Sequence, residues 1–192
     1  MADDTGYDDT SVTDITDPDR NSGLYIPSDL VLDDYNGYTD NFADGGTKAM
    51  QAVDKIEDWS IYGKSQYDPA HHFDDPDEAV KAGTIIKGDC GQLVRYAFRN
   101  TSGESLGAMG YYAIQLAQDT DNLKIIGRSP FAYRLIKAGD LVFLNLNGSP
   151  NSYVCLATNM GCIGFNAEGI EPFSLRGLDW DDKITQVSRL IE

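Results

Sequence analysis

The apolar residues in the first half of the chain recur at helical spacing. They return every three or four positions between residues 47 and 62, and again from Asp89 to about Asn100, which predicts an amphipathic helix in each segment. Residues 108–118 predict a third, shorter helix, and residues 63–88 predict a loop. The apolar positions of the two longer helices are Met50, Val53, Ile56, Trp59 and Ile61 in the first, and Leu93, Val94, Ala97 and Phe98 in the second.

The period changes in the second half of the chain. Short apolar runs are separated there by Gly, Asn and Pro, which predicts antiparallel strands joined by turns. The tail from Trp180 to Ile191 predicts a last strand or helix, and Gly127–Pro130 predicts a turn. Helices followed by strands indicate an α+β fold, with N-terminal helices packed on a small antiparallel sheet. The predicted strands are Leu141–Leu144, Tyr153–Ala157 and Cys162–Phe165.

Charge is distributed unevenly along the 192 residues, which carry a formal net charge of −16. Residues 1–44 contain 12 Asp and one Arg, whereas the rest of the chain contains 19 acidic and 14 basic residues. The negative net charge argues against nucleic acid and anionic membranes as partners. Residues 1–46 offer few groups to bury, so they predict an extended acidic arm followed by a domain at 47–192. We expect the arm, residues 1–44, to lie on other protein subunits.

The remaining composition excludes several classes of protein. No stretch approaches the roughly 20 apolar residues of a membrane helix. The first residues also lack the charged and apolar regions of a secretory signal, so no signal peptide is expected. Three cysteines do not suggest a disulfide framework, and no metal or other cofactor is expected.

Candidate chemistry starts at the predicted second helix. Asp89 suits the N-cap position, because its carboxylate can accept hydrogen bonds from free N–H groups of the first turn. Cys90 follows at the positive end of the helix dipole, a position that favours the nucleophilic thiolate over the thiol. The alternative interpretation of Cys90 is a small buried hydrophobic side chain.

Two motifs in this order resemble the NlpC-type cell-wall peptidases, which are small papain-like cysteine hydrolases. The first is Asp89-Cys90 at a helix start, and the second is Lys137–Phe143, with the sequence Lys-Ala-Gly-Asp-Leu-Val-Phe, at a strand start. The resemblance implies an NlpC-like domain and cleavage of peptide bonds in peptidoglycan. It also implies a nucleophilic cysteine, a histidine that stabilises the thiolate, and a third polar residue that orients the histidine.

Aligned with this pattern, Tyr153 stands at the histidine position and Asn166 at the third position. A phenol has a pKa near 10, so at neutral pH it cannot form an ion pair with a thiolate. Loss of a general base typically lowers the rate by about 10²–10⁴. We therefore predict catalytic positions Cys90, Tyr153 and Asn166 in a degenerate domain. Its predicted role is that of a structural or binding component, in the virion or tail of a phage as the resemblance implies.

Two alternatives remain open. One is an active peptidoglycan hydrolase, at the cell wall or otherwise extracellular, in which Cys90 attacks peptidoglycan peptides and His71 or His72 replaces the missing base. The other is a cysteine-dependent transferase or amidase that acts on a small acyl substrate.

Overall fold

The first half of the domain is mainly helical in the computed structural model, which describes residues 42–69, 75–107, 112–146, 148–176 and 183–192. The two longer helices begin and end close to their predicted bounds. The third is confined to four residues, and residues 108–111 of that prediction lie outside the described residues. The elements in chain order are α1 Thr47–Tyr62, β1 Ser65–Tyr67, α2 Pro76–Ala82, β2 Ile86–Gly88, α3 Cys90–Ser102 and α4 Ala113–Leu116.

The second half forms a six-stranded sheet in which every neighbouring pair is antiparallel. The three predicted strands are confirmed, and the described part of the tail forms a strand, while Trp180 lies outside the described residues. The elements are β3 Leu123–Arg128, a 3-10 helix Pro130–Leu135, β4 Leu141–Leu144, β5 Tyr153–Ala157, β6 Cys162–Asn166, β7 Gly169–Phe173 and β8 Ile184–Leu190. The strand order is β3-β8-β4-β5-β6-β7. The described chain is therefore α+β, as predicted.

The core lies between the two long helices and one end of the sheet. Helices α1 and α3 pack against each other, and both contact β6, with α3 also on β5 and α1 on β7. Their apolar faces bury Ile56, Trp59 and Phe98, each 1% exposed or less. Burial of such side chains stabilises the fold by about 1.5–3 kcal/mol each. This packing brings the start of α3 to the strands that carry Tyr153 and Asn166.

The predicted loop at residues 63–88 is wrong in part, because it contains β1, α2 and β2. Strands β1 and β2 pair in parallel, with Tyr67 opposite Gly88. Asp75 caps α2 by accepting a hydrogen bond from the Asp77 N–H, and Pro76 occupies the first helical turn. Asp followed by Pro is a sequence signal for a helix start, so this helix was predictable.

The predicted turn at Gly127–Pro130 is also wrong in part. Gly127 and Arg128 belong to β3, and Pro130 begins the 3-10 helix. Strand β3 lies at the sheet edge, and its pairing with β8 shifts register between Ile125 and Gly127. A bulged edge strand lacks the regular apolar alternation on which strand prediction depends.

The last residues of the predicted arm contact the domain. Phe42 is 9% exposed, and its N–H donates to the Asn159 carbonyl at 3.1 Å. The Asn159 side chain in turn donates to Asp44 Oδ1 at 2.6 Å, and Asp44 forms a bridge with Ala138. The chain is therefore anchored to the domain from Phe42 onward, while residues 1–41 lie outside the described residues.

Candidate functional site

Helix α3 begins as the sequence predicts, with Asp89 as its N-cap. The Gln92 N–H donates to Asp89 Oδ1 at 2.7 Å, and both residues are buried. Cys90 is the first helical residue, and Asp89 alone separates it from strand β2. The β1–β2 pairing sets Tyr67 opposite Gly88, two residues before the cysteine. The thiol therefore lies where a helix, a short parallel sheet and the main sheet meet.

The surroundings of Cys90 suppress the thiolate. The side chain is 2% exposed, and burial raises the pKa of the thiol well above its usual value, with further increases from nearby Asp89 and Cys155. Backbone hydrogen bonds from Val154 and Gly91 lower the pKa but do not reverse the change. The helix start therefore favours the thiolate, as expected, but loss of water at the buried sulfur outweighs it, in line with the alternative interpretation of Cys90 as a buried side chain.

Tyr153, the first residue of β5, is also buried, at 2% exposure. Its hydroxyl donates to the Phe165 carbonyl on β6 at 2.6 Å. Gly164 leaves room for this hydroxyl, since a side-chain carbon there would lie 2.7 Å from the phenol oxygen. Burial, and then the neighbouring Cys155 and Cys90, raise the pKa of Tyr153 well above its usual value. The side chain is thus a neutral donor bonded to a backbone carbonyl.

Asn166, the last residue of β6, shapes the turn into β7. Its Oδ1 accepts hydrogen bonds from the Glu168 N–H at 2.8 Å and the Gly169 N–H at 2.9 Å. The side-chain nitrogen is buried and has no hydrogen-bond partner among the described residues. Strands β5 and β6 are paired, and the Tyr153 hydroxyl donates to the carbonyl of Phe165, the residue before Asn166. The predicted second and third positions thus share one end of the sheet.

Sequence reasoning missed Tyr67 on strand β1. Burial, and then the neighbouring Cys90 and Asp89, raise the pKa of Tyr67. Its ring meets the ring of Phe165 edge-on, with centroids 6.3 Å apart. Two phenols, Tyr67 and Tyr153, therefore lie close enough to interact electrostatically with the Cys90 sulfur. No sequence signal indicated this role, because the segment around Tyr67 was predicted as a loop.

The second motif of the resemblance has a structural role. Gly139 has a positive φ of 88°, and a side-chain carbon there would lie 2.5 Å from Ala49 Cβ. Arg189 donates to Asp140 through Nε at 2.6 Å and through Nη2 at 2.7 Å. The Lys137 N–H also donates to Asp140 Oδ2 at 2.8 Å. Gly139 thus permits close packing on α1, and Asp140 ties the start of β4 to β8.

The remaining expectations concern the histidines, a metal site, a membrane helix and the cysteines. His71 and His72 lie outside the described residues. Among the residues that are described, no group of three or more His, Cys, Asp or Glu side chains is arranged to hold a metal ion. Over the same residues, no helix combines the length and apolar character needed to cross a membrane. The three cysteines are buried and unbonded to one another.

Comparison with known proteins adds no relative to this picture. No protein-family model matches the chain, and a search of curated proteins finds no significantly similar sequence. The relation to the NlpC-type peptidases therefore remains a resemblance carried by the Asp89-Cys90 and Lys137–Phe143 motifs.

Proposed function

We propose that this chain carries a degenerate NlpC-like, papain-like domain that serves as a structural or binding component, in the virion or tail of a phage. The observation that carries the proposal is the pairing of a buried Cys90 with Tyr153 at the position of the base. A phenol held at 2.6 Å by a backbone carbonyl does not take a proton from a thiol whose own pKa is raised. Cys90 then acts as a core residue.

The arrangement of secondary structure supports the papain-like part of the proposal. A cysteine opens a helix that packs on the sheet, the Tyr153 position begins a strand, and Asn166 ends the next strand. This is the order that the resemblance implies for nucleophile, base and orienting residue. The assignment to a phage virion or tail comes from the resemblance and from the acidic arm.

The first experiment measures amine release from purified cell wall by the full chain. We expect no release above that of Cys90→Ala, because neither the thiolate nor a base forms at this site. Tyr153→His introduces the residue that the family has at this position, so it serves as the matched variant that supplies the missing base. Release by the unaltered chain that disappears in Cys90→Ala would overturn the proposal in favour of the hydrolase.

The active hydrolase is the second candidate, and one observation favours it. Two backbone N–H groups, those of Val154 and Gly91, bond the Cys90 sulfur and lower its pKa. Such donors are the groups from which an oxyanion site is built. This candidate needs His71 or His72 as the base, so His71→Ala and His72→Ala belong in the same cell-wall assay.

The partner role of the arm has its own test. Residues 42–44 belong to the domain surface through Phe42 and Asp44, so the informative deletion removes residues 1–41 and keeps those contacts. We expect the shortened domain to keep its thermal stability within a few degrees but to lose concentration-dependent assembly, measured by sedimentation. Unchanged assembly would remove the arm from the proposal.

A further inference from the structure

A pocket of about 150 Å³ lies on the polar side of helix α3. Gln92, Arg95, Tyr96 and Arg99 line it from the helix, at positions i, i+3, i+4 and i+7, which form one helical face. The segment 104–106 forms the rest of the wall. The apolar core residues of α3 occupy other positions of the helix, and Cys90 does not line the pocket.

Two arginines line this pocket although the chain as a whole is strongly acidic. Arg95 and Arg99 are one helical turn apart, which sets their Cβ atoms about 5–6 Å from each other. Arg95 is held in place because its Nε donates to the Leu106 carbonyl at 2.6 Å. The Arg99 guanidinium carbon lies 5.6 Å from the centre of the Tyr96 ring. Both arginines are therefore positioned by contacts within the wall.

The opposite wall is held by three separate contacts. The Gly107 N–H donates to Asp119 Oδ2 at 2.6 Å, and Asn122 Nδ2 donates to the Ser105 carbonyl at 3.4 Å. Among the described lining residues, Glu104 carries the carboxylate, which pairs with Lys48 Nζ at 2.6 Å. Lys48 thus offsets the charge that would otherwise compete for the arginines. A pocket fixed on both sides lowers the ordering cost of binding.

We infer that this pocket binds a small carboxylate that has an apolar body. The guanidinium fork matches a carboxylate in shape and charge, and a bidentate pair is stronger than a neutral hydrogen bond. The Tyr96 ring supplies apolar surface beside the charges, and the buried Leu106 lies in the wall behind it. A cavity of about 150 Å³ holds a molecule of roughly the size of benzene. The inference is independent of the proposed function, since it involves neither Cys90 nor the arm.

The test uses benzoate as the probe and benzamide as an uncharged control of similar shape. Both are titrated into the full chain, and binding is followed by NMR shifts of the Arg99 and Tyr96 signals. We expect benzoate to bind at least about tenfold more tightly than benzamide, because only benzoate forms the charge-assisted pair. Arg99→Gln should remove most of that difference, whereas Arg128→Gln, an exposed arginine on β3, should leave it unchanged.

Four outcomes would overturn the inference. The first two are equal affinities for benzoate and benzamide, and an unchanged benzoate affinity in Arg99→Gln. The third is a failure of benzoate to saturate the chain at about 10 mM, a concentration at which even weak ligands bind. The fourth is saturation by inorganic phosphate in place of benzoate. Arg99 is exposed, so Arg99→Gln should fold like the parent chain. Equal melting temperatures of the two proteins establish that any loss of binding is local.

Discussion

The pKa values of two ionisable groups beside helix α3 shift in opposite directions: Cys90 begins the helix, and Asp77, on α2, is bonded by Asn100 near its end. Burial is the largest effect on Cys90 at the helix start and on Asp77 near the helix end, and at both it opposes the charged form. The pKa of Asp77 is nevertheless lowered, because Lys55, Trp59 and Asn100 donate to its carboxylate. At Cys90 the pKa is raised, because burial and the neighbouring Asp89 outweigh the two backbone N–H groups that bond the sulfur.

The difference between the surroundings of Asp77 and Cys90 indicates what a reactive thiol would need at this position. Asp77 keeps part of its surface in water and has Lys55 Nζ at 2.8 Å, so its charge is both solvated and paired. Cys90 is 2% exposed, and the titratable groups that act on it in the described part of the chain are Asp89, Cys155 and two phenols. A helix N-terminus contributes about 0.3–1 kcal/mol to an anion, which is less than the cost of burying one. A reactive thiol at this position would need a cation beside the sulfur, and the described residues place none among the causes of its pKa.

The largest expected effect is the protection of Cys90 from alkylation. At pH 7.5 the folded chain should react with iodoacetamide at this position at least about a thousandfold more slowly than the urea-unfolded chain, because reaction requires opening of the core. Peptide mass spectrometry separates Cys90 from Cys155 and Cys162. An alkylation rate of Cys90 near that of a free thiol would contradict its burial and remove the difference from Asp77.

The next effect concerns the Asp77 network. Asp77→Ala leaves the buried Trp59 Nε1–H without the acceptor that it now has at 2.8 Å, and it also removes an acceptor from Asn100. We expect a loss of about 2 kcal/mol in the free energy of unfolding, measured in urea. The Lys55 pair adds little to this figure, because more than a third of the Asp77 side chain is exposed.

Glu78→Ala is the matched control for Asp77→Ala. Glu78 is the next residue of the same helical turn, and its partner Lys81 Nζ lies 3.8 Å away, with both side chains more than 70% exposed. Removal of such a surface pair should change the free energy of unfolding by no more than about 0.5 kcal/mol. Equal losses of unfolding free energy in Asp77→Ala and Glu78→Ala would mean that the hydrogen bonds to Asp77 do not stabilise the fold.

The smallest effect is the pH dependence of stability, and its sign should differ between the two groups. The lowered pKa of Asp77 means that its contribution is present above about pH 4, the usual carboxyl pKa, and is lost as the pH falls further. The raised pKa of Cys90 means that stability is complete below about pH 8.5 and decreases as the pH rises above it.

Urea unfolding from pH 3 to pH 9.5 measures both pH dependences, each as the difference in unfolding free energy between the parent chain and a variant. The stability gap between the parent chain and Asp77→Asn should close in acid. Above pH 8.5, the parent chain should lose about 1 kcal/mol more than Cys90→Ala over one pH unit. Parallel curves at high pH would show that Cys90 titrates normally in the folded chain and would contradict its burial.

The long, strongly periodic elements could be predicted from the sequence, whereas the short ones could not. Helices α1 and α3 and strands β4, β5 and β6 follow from apolar residues at regular spacing. Strands β1 and β2 have three residues each, too few to display a period, and they exist through their pairing with each other. The same holds for β3, whose stability comes from β8, distant in sequence.

The candidate site divides in the same way. The positions of Cys90 and Tyr153 at element starts were predictable, because caps and strand onsets are local signals. The contribution of Tyr67 was not, since it depends on a parallel pairing across 20 residues. The pocket around Arg95 and Arg99 also needed the tertiary fold, because its far wall comes from a loop held by Asp119.

The sequence alone determined the α+β layout, the acidic character of residues 1–44 and the location of a cysteine at a helix start, because each depends on residue type and local spacing. The tertiary structure alone decided whether that cysteine ionises. Its pKa depends on how much water reaches the sulfur and on which side chains surround it, and both follow from packing between elements far apart in the chain. At Cys90, that packing brings two phenols and excludes solvent.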